Sequence, residues 1–155
     1  METIQSMITF NGYTVDQLSF EPKTPVKTTD DSMEPSFIPD FSREIKGNEE
    51  GDCKLSLTVV IGQPDDTMPF RAIVSITGDY HVPDPKRAKE IMEINGTAIL
   101  FPYLRAVVTQ LTAAANLPPV YLPTINLFEM FKAQENKNIV EENSTEDAQE
   151  QKIDK

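Results

Sequence analysis

With 155 residues, one cysteine and 25 acidic against 14 basic side chains, the chain carries a formal charge of −11. The length suits one domain, and the acidity argues against nucleic acid as a ligand. The single thiol, Cys53, excludes an internal disulfide and points to the cytoplasm, while the opening METIQSMITF lacks the basic stretch and apolar run of a secretory signal.

Residues 4–21 set Ile8, Phe10, Tyr13, Val15, Leu18 and Phe20 around Asn11-Gly12, the pattern of a long strand with a bulge or kink. Residues 21–52 are rich in Pro, Asp, Glu and Lys. A weak alternation at Phe37, Phe41 and Ile45, with Pro39 inside it, fits an irregular edge strand between loops. Residues 53–62 and 70–80 read as an antiparallel hairpin across the turn-forming Gln63-Pro64-Asp65-Asp66. Leu55, Leu57, Val59 and Ile61 share one face of the first strand, and Phe70, Ala72, Val74 and Ile76 one face of the second. Helices are expected to cover that face. Residues 82–95 form a polar connection with a short helical turn at 86–93.

The next segment spells a helix with no polar side. Pro102 fits only the first turn of a helix, which places the start near residues 98–101 with Asn95 or Thr97 as cap. Asn116, Pro118 and Pro119 supply the stop, so the helix spans roughly 18 residues, about five turns. Arg105 is the only charge between residues 98 and 115, and apolar side chains point in most directions around the axis. The run is broken by Pro102, Arg105 and Gln110 and is too short for a membrane span, so a second subunit is the expected cover. Phe101, Tyr103, Leu104, Val107, Val108 and Leu111 are assigned to that interface. About five such side chains at roughly 2 kcal/mol each give on the order of 10 kcal/mol, against an association cost of ~4–15 kcal/mol. Sheet edges or a second copy of the contact should therefore contribute. The competing reading, a helix buried centrally in a monomer, suffers from the few elements available to surround it.

A proline-rich crossover follows at residues 117–124, then a second helix from Leu127 to about Val140. Residues 141–155 are charged and lack aromatics, which predicts a disordered acidic tail beyond a domain of residues 1–140.

Three segments resemble the SecB family of export chaperones. They are Tyr13-Thr14 with Leu18-Ser19-Phe20-Glu21-Pro22, then Leu100-Phe101-Pro102-Tyr103-Leu104-Arg105 with Ile99 before it, and then residues 117–128, LPPVYLPTINLF. The resemblance implies an α+β fold, a four-stranded antiparallel sheet with two main helices packed on one face, assembled as a dimer or a dimer of dimers. It also implies an ATP-independent holdase that binds unfolded precursors and passes them to the motor SecA. Glu21 matches one position of the family's acidic docking patch, and Asp16 stands beside Gln17, where a second acid is expected. Arg71 and Ile73 occupy the matching positions on the neighbouring strand, where the family has an apolar residue and an acid.

The client groove is assigned to Pro118, Pro119, Tyr121 and Leu122 on the crossover, with Phe128, Met130 and Phe131 on the second helix. Prolines stiffen the segment, and Met and aromatic side chains adapt to varied partners. Two other readings stand beside the general holdase. One is a chaperone dedicated to an antitoxin or other single client; the other is an acidic scaffold for a basic partner. Catalysis has little basis: His81 and Cys53 would need to meet across two strands, the Asp65-Asp66, Glu49-Glu50 and Asp30-Asp31 pairs suit turns and loops, and no cluster has metal-ligand spacing. No GxxxxGK[ST] loop is present, and neither a cofactor nor a membrane is expected as a partner.

Overall fold

In a computed structural model of the chain, residues 6–23, 38–64 and 66–150 are described, with side chains described to residue 139. The expected strand start at Ile4, and Asp30, Asp31, Phe37 and Asp65, lie outside the described residues. The chain divides into two compact units, Met1–Thr124 and Ile125–Lys155.

The first unit holds four antiparallel strands, β1 Thr9–Pro22, β2 Asp40–Gly47, β3 Asp52–Ile61 and β4 Phe70–His81, in the order β1-β4-β3-β2. The hairpin of β3 and β4 follows from strict alternation: Leu55, Leu57, Val59, Ile61, Val74 and Ile76 are completely buried. Gly62, at φ 83°, starts the turn, and a Cβ there would stand 1.9 Å from the Phe70 carbonyl oxygen. Asp66 closes it by accepting from the Gln63 N–H (2.6 Å) and the Met68 N–H (3.0 Å).

The spacing of apolar residues in β1 changes parity between Val15 and Leu18, which would turn half of them to solvent in a regular strand. Two bulges restore it, one between Phe10 and Tyr13 and one between Val15 and Gln17. Gly12, at φ 105°, lies in the first, as the Asn11-Gly12 pair predicts. The second inserts Asp16 as an unpaired residue. Tyr13, Val15, Leu18 and Phe20 then share the face of Ile76, Val74 and Ala72. Beyond the strand, Lys23 fastens the end of β1 to the β3–β4 turn. Its backbone N–H donates to Pro69 O (2.7 Å), and its ammonium to Gln63 O and to Asp66 Oδ1 (2.9 Å).

β2 is an edge strand, as expected, but it pairs with β3 in unbroken register because Pro39 falls just before it. Arg43 faces the core side opposite Leu57, an inward charge that discourages edge-to-edge pairing.

The helical connection departs most from expectation. Instead of a separate turn and a capped helix, one run extends from Pro85 to Ala114: a 3₁₀ turn Pro85–Arg87, α1 Ala88–Ile91, a π turn Met92–Gly96 and α2 Thr97–Ala114. Neither Asn95 nor Thr97 caps α2, because the residues before Thr97 are already helical. Carbonyls of the π turn are taken by side chains: Tyr80 Oη donates to Gly96 O (2.9 Å), Arg43 Nη1 to Glu93 O (3.0 Å) and Thr97 Oγ1 to Met92 O (3.2 Å). Pro102 sits inside α2. It withholds the bond to the Ala98 carbonyl, and both residues lie on the exposed side where water can serve that oxygen. The 30-residue run is long and apolar enough to cross a bilayer by length and composition, contrary to the expected short helix, but half of that window is buried in the fold.

In the second unit, α3 spans Leu127–Glu150. Asn126 starts it, its Oδ1 accepting from the Glu129 N–H (3.3 Å). The helix passes the expected end at Val140 and runs through the segment expected to be a disordered tail as far as Glu150. Residues 141–150, EENSTEDAQE, contain no Gly or Pro to stop it.

Candidate functional site

α2 ends as Asn116 predicts. Asn116 takes φ 59°, its N–H donates to Ala113 O (3.1 Å), and the Leu117 N–H donates to Thr112 O (3.2 Å). This is a Schellman closure with Asn in the left-handed position. It reverses the chain so that the crossover returns along α2. There Arg105 Nε donates to Leu122 O (3.1 Å), Thr109 Oγ1 to Val120 O (3.1 Å), and the Val120 N–H donates to Thr112 Oγ1 (2.9 Å). The Arg105 guanidinium also lies 5.9 Å from the Phe101 ring centroid.

The crossover residues assigned to a groove separate into two kinds. Tyr121 is 72% exposed, and Pro118 and Pro119 are exposed with it. Leu122, expected in the groove wall, is instead buried at 1% because Arg105 holds its carbonyl against α2. On α3, Phe128 and Met130 in the first two turns are half-buried, with Lys132 Nζ 5.7 Å from the Phe128 ring centroid, whereas Phe131, also expected in the groove, is buried at 5%.

The six interface residues of α2 also divide. Leu104 and Val108 are essentially fully buried, and Phe101 and Val107 are buried too, so these four belong to the core of the chain rather than to a free surface. Phe101 meets Phe41 edge-on at 5.9 Å. Tyr103 and Leu111 keep exposed area. Tyr103 leans on β1, its ring 5.4 Å from Phe10 and 4.9 Å from Tyr13. Beside it, Tyr13, Val15 and Leu18 are 37%, 44% and 53% exposed on the face of β1 that shares the core side of the sheet. Beside the open residues Tyr103 and Leu111 of α2, these three side chains add uncovered apolar surface on β1.

The opposite sheet face is polar. Ser56 and Thr77 share a hydrogen bond of 2.7 Å, Thr58 and Ser75 one of 2.8 Å, and Thr77 donates to the carboxylate of Asp16. Glu21 stands opposite Arg71, and Ile73 opposite Ser19. Asp16 and Glu21 thus sit on this side of β1, with a hydroxyl and a guanidinium as their cross-strand neighbours.

Cys53 and His81 point to opposite faces. The thiol is buried, and burial, with the Asp52 charge, pushes it above its ordinary range. His81 Nδ1 pairs with Asp52 Oδ1 at 2.9 Å on the other face, and hydrogen bonds from His81 and Asn48 hold the Asp52 carboxyl below its ordinary range. A thiol–imidazole pair cannot form across the sheet. Among the described residues, no three His, Cys, Asp or Glu side chains converge as a metal site needs.

An antiparallel sheet of order β1-β4-β3-β2, one long apolar helix, a proline-rich crossover and a second helix define an α+β protein that exposes apolar surface at β1 and at the crossover. The family described as Preprotein translocase subunit SecB matches residues 2–138, and the chain belongs to the SecB family of chaperones. An uncharacterized protein of Methanocaldococcus jannaschii is 30% identical over 141 residues, 88% of each chain. The protein-export protein SecB of Aromatoleum aromaticum is 27% identical over 138 residues, 86% of this chain and 87% of its own. Among solved structures, the Mycobacterium tuberculosis SecB-like chaperone in complex with a ChAD peptide from the HigA1 antitoxin has the same fold. It superposes at a TM-score of 0.62 with 13% identity, covering 77% of this chain and 91% of its own.

Proposed function

We propose that the chain is an ATP-independent holdase that keeps unfolded polypeptides, among them precursors for export, from aggregating in the cytoplasm. The observation that carries the reading is Tyr121, a large aromatic ring 72% exposed on a proline-stiffened segment while its neighbour Leu122 is buried. Client contact is assigned to Pro118, Pro119 and Tyr121, and in the second unit to Phe128 and Met130, with Leu122 as the anchor of the crossover and Phe131 as a packed residue of α3. Each contact is weak, and a long client that reaches several subunits gains ~10²–10⁴ in avidity. No step of this function calls for catalysis or a cofactor.

Assembly as a dimer or a dimer of dimers is part of the proposal. Tyr13, Val15 and Leu18 leave an apolar strip on β1 beside Tyr103, and a second copy of the chain would cover it. Residues 1–140 form the chaperone domain in this account, and residues 141–155 an acidic appendage. Purified protein should suppress light scattering by a denatured protein diluted from guanidinium, without nucleotide. Undiminished scattering at several-fold excess would overturn the reading.

A narrower role, chaperone of one antitoxin or other single client, is favoured by Arg71 opposite Glu21, which offsets an acid the family uses to dock on SecA. In this version SecA docking through Asp16 and Glu21 is lost. Chains that copurify with the protein from its host separate the two roles: many precursors support export, and one dominant partner supports the dedicated chaperone.

A further inference from the structure

We propose that Arg105, Thr109 and Thr112 form a latch that grips the main chain of the crossover and sets which of its side chains faces the client. The proposal deepens the holdase reading and rests on it. The three residues fall at i, i+4 and i+7, one stripe along α2. They are three of the few polar side chains on an otherwise apolar helix, and every bond they send across goes to backbone: both groups of Val120 and the carbonyl of Leu122. The helix face thereby does what a neighbouring β-strand would do, through side chains.

The bonding pattern fixes the orientation. Thr112 is completely buried; its O–H donates to Val108 O or Thr109 O (both 3.1 Å), which leaves a lone pair for the Val120 N–H. The single hydroxyl hydrogen of Thr109 is shared between Arg105 O (3.0 Å) and Val120 O (3.1 Å). In an extended segment alternate residues present their backbone groups to the same side, so Val120 and Leu122 face α2 while Pro119, Tyr121 and Pro123 present the other edge. Pro119 and Pro123 have no N–H. An added strand would find one donor there, that of Tyr121, so the crossover offers clients a side chain and not a strand edge. The latch reads no side chain of the crossover, yet it turns Leu122 inward and Tyr121 outward. Arg105, Thr109 and Thr112 are positioning residues in this scheme, and none of them touches the client.

The test compares T112V, which keeps the side-chain shape and removes the hydroxyl, with T112S, which restores it, in the full chain. Amide hydrogen exchange at Val120 should accelerate by ~10-fold or more in T112V, with the amides of β3 and β4 unchanged. Release of a fluorescent, permanently unfolded polypeptide should quicken by about 5-fold or more. T112S should return both to wild type, a rescue that lost core packing would not give. Should T112V fail to fold, T109V at its half-exposed site must show the same two changes. An unprotected Val120 amide in the wild-type protein, or a loosened crossover that releases the polypeptide no faster, overturns the latch. A wild-type protein that binds no unfolded chain, with Val120 still protected, instead overturns the holdase reading.

Discussion

Replacing Leu104 and Tyr103 by Ala, one at a time, separates the core of the protomer from its assembly surface. Leu104 is completely buried, and truncating a leucine in such a site costs ~2–5 kcal/mol. At ~2–4 °C per kcal/mol for a chain of this size, a mid-range loss of about 3 kcal/mol lowers Tm by about 6–12 °C. Tyr103 keeps 39% of its surface and meets the rings of Phe10 and Tyr13 at a tilt. Its two ring contacts contribute ~0.5–1.5 kcal/mol each to the protomer. If a second copy covers the ring, an interface loss of ~2 kcal/mol weakens association by about 30-fold. Thermal unfolding at one fixed concentration reads the first effect, because Tm of an oligomer varies with concentration. Sedimentation velocity over a dilution series reads the second. L104A should lose Tm and Y103A should dissociate at higher concentration. A pair in which L104A keeps its Tm, or Y103A assembles as the wild type does, refutes the division of α2 into core and surface.

The Lys23–Asp66 fastening makes stability acid-sensitive. Burial pushes the Asp66 carboxyl up, but hydrogen bonds from Lys23 and the Met68 and Gln63 N–H groups, with the Lys23 charge, outweigh it and hold the group below its ordinary range. A depressed folded-state value means stability present above about pH 4 and lost as pH falls through the lowered value. The wild-type advantage over D66N in urea melts should therefore shrink below about pH 4, and a constant difference from pH 7 to pH 3 would contradict it. Asn116→Gly should be neutral or slightly stabilising, whereas Asn116→Val should cost about 1–2 kcal/mol in the left-handed position, both read by thermal melts. Gly62→Ala should cost more, on the order of 2–4 kcal/mol, because φ 83° and the 1.9 Å approach to the Phe70 carbonyl oxygen leave no room; a stable G62A protein would refute the turn geometry.

Strict alternation made β3 and β4 legible from sequence, since each residue of Leu55, Leu57, Val59 and Ile61 sits two positions from the next and one face of the sheet is buried. The end of α2 was legible for a similar local reason, Asn116 before two prolines. The start was not. Pro102 suits a first turn, but the helix begins earlier through a π turn whose carbonyls are served by Arg43 and Tyr80, side chains of strands β2 and β4 that sequence does not place beside it. In β1 the parity change between Val15 and Leu18 marks a second bulge at Asp16, as Asn11-Gly12 marks the first. The division of α2 into buried and open residues depends on which strand it crosses, information that periodicity around a helix axis does not contain. Arg105 and the two threonines were visible as polar residues at i, i+4 and i+7, yet they looked like interruptions of an apolar run. Their meaning appears once the crossover lies beside them.

Sedimentation of the purified protein with a permanently unfolded, alkylated polypeptide, beside the same polypeptide in its folded form, tests the chaperone account most directly. A complex with the unfolded chain alone, formed without nucleotide and weakened by replacing Tyr121 with Ser, is the predicted result. Equal binding of both forms, or of neither, would contradict it.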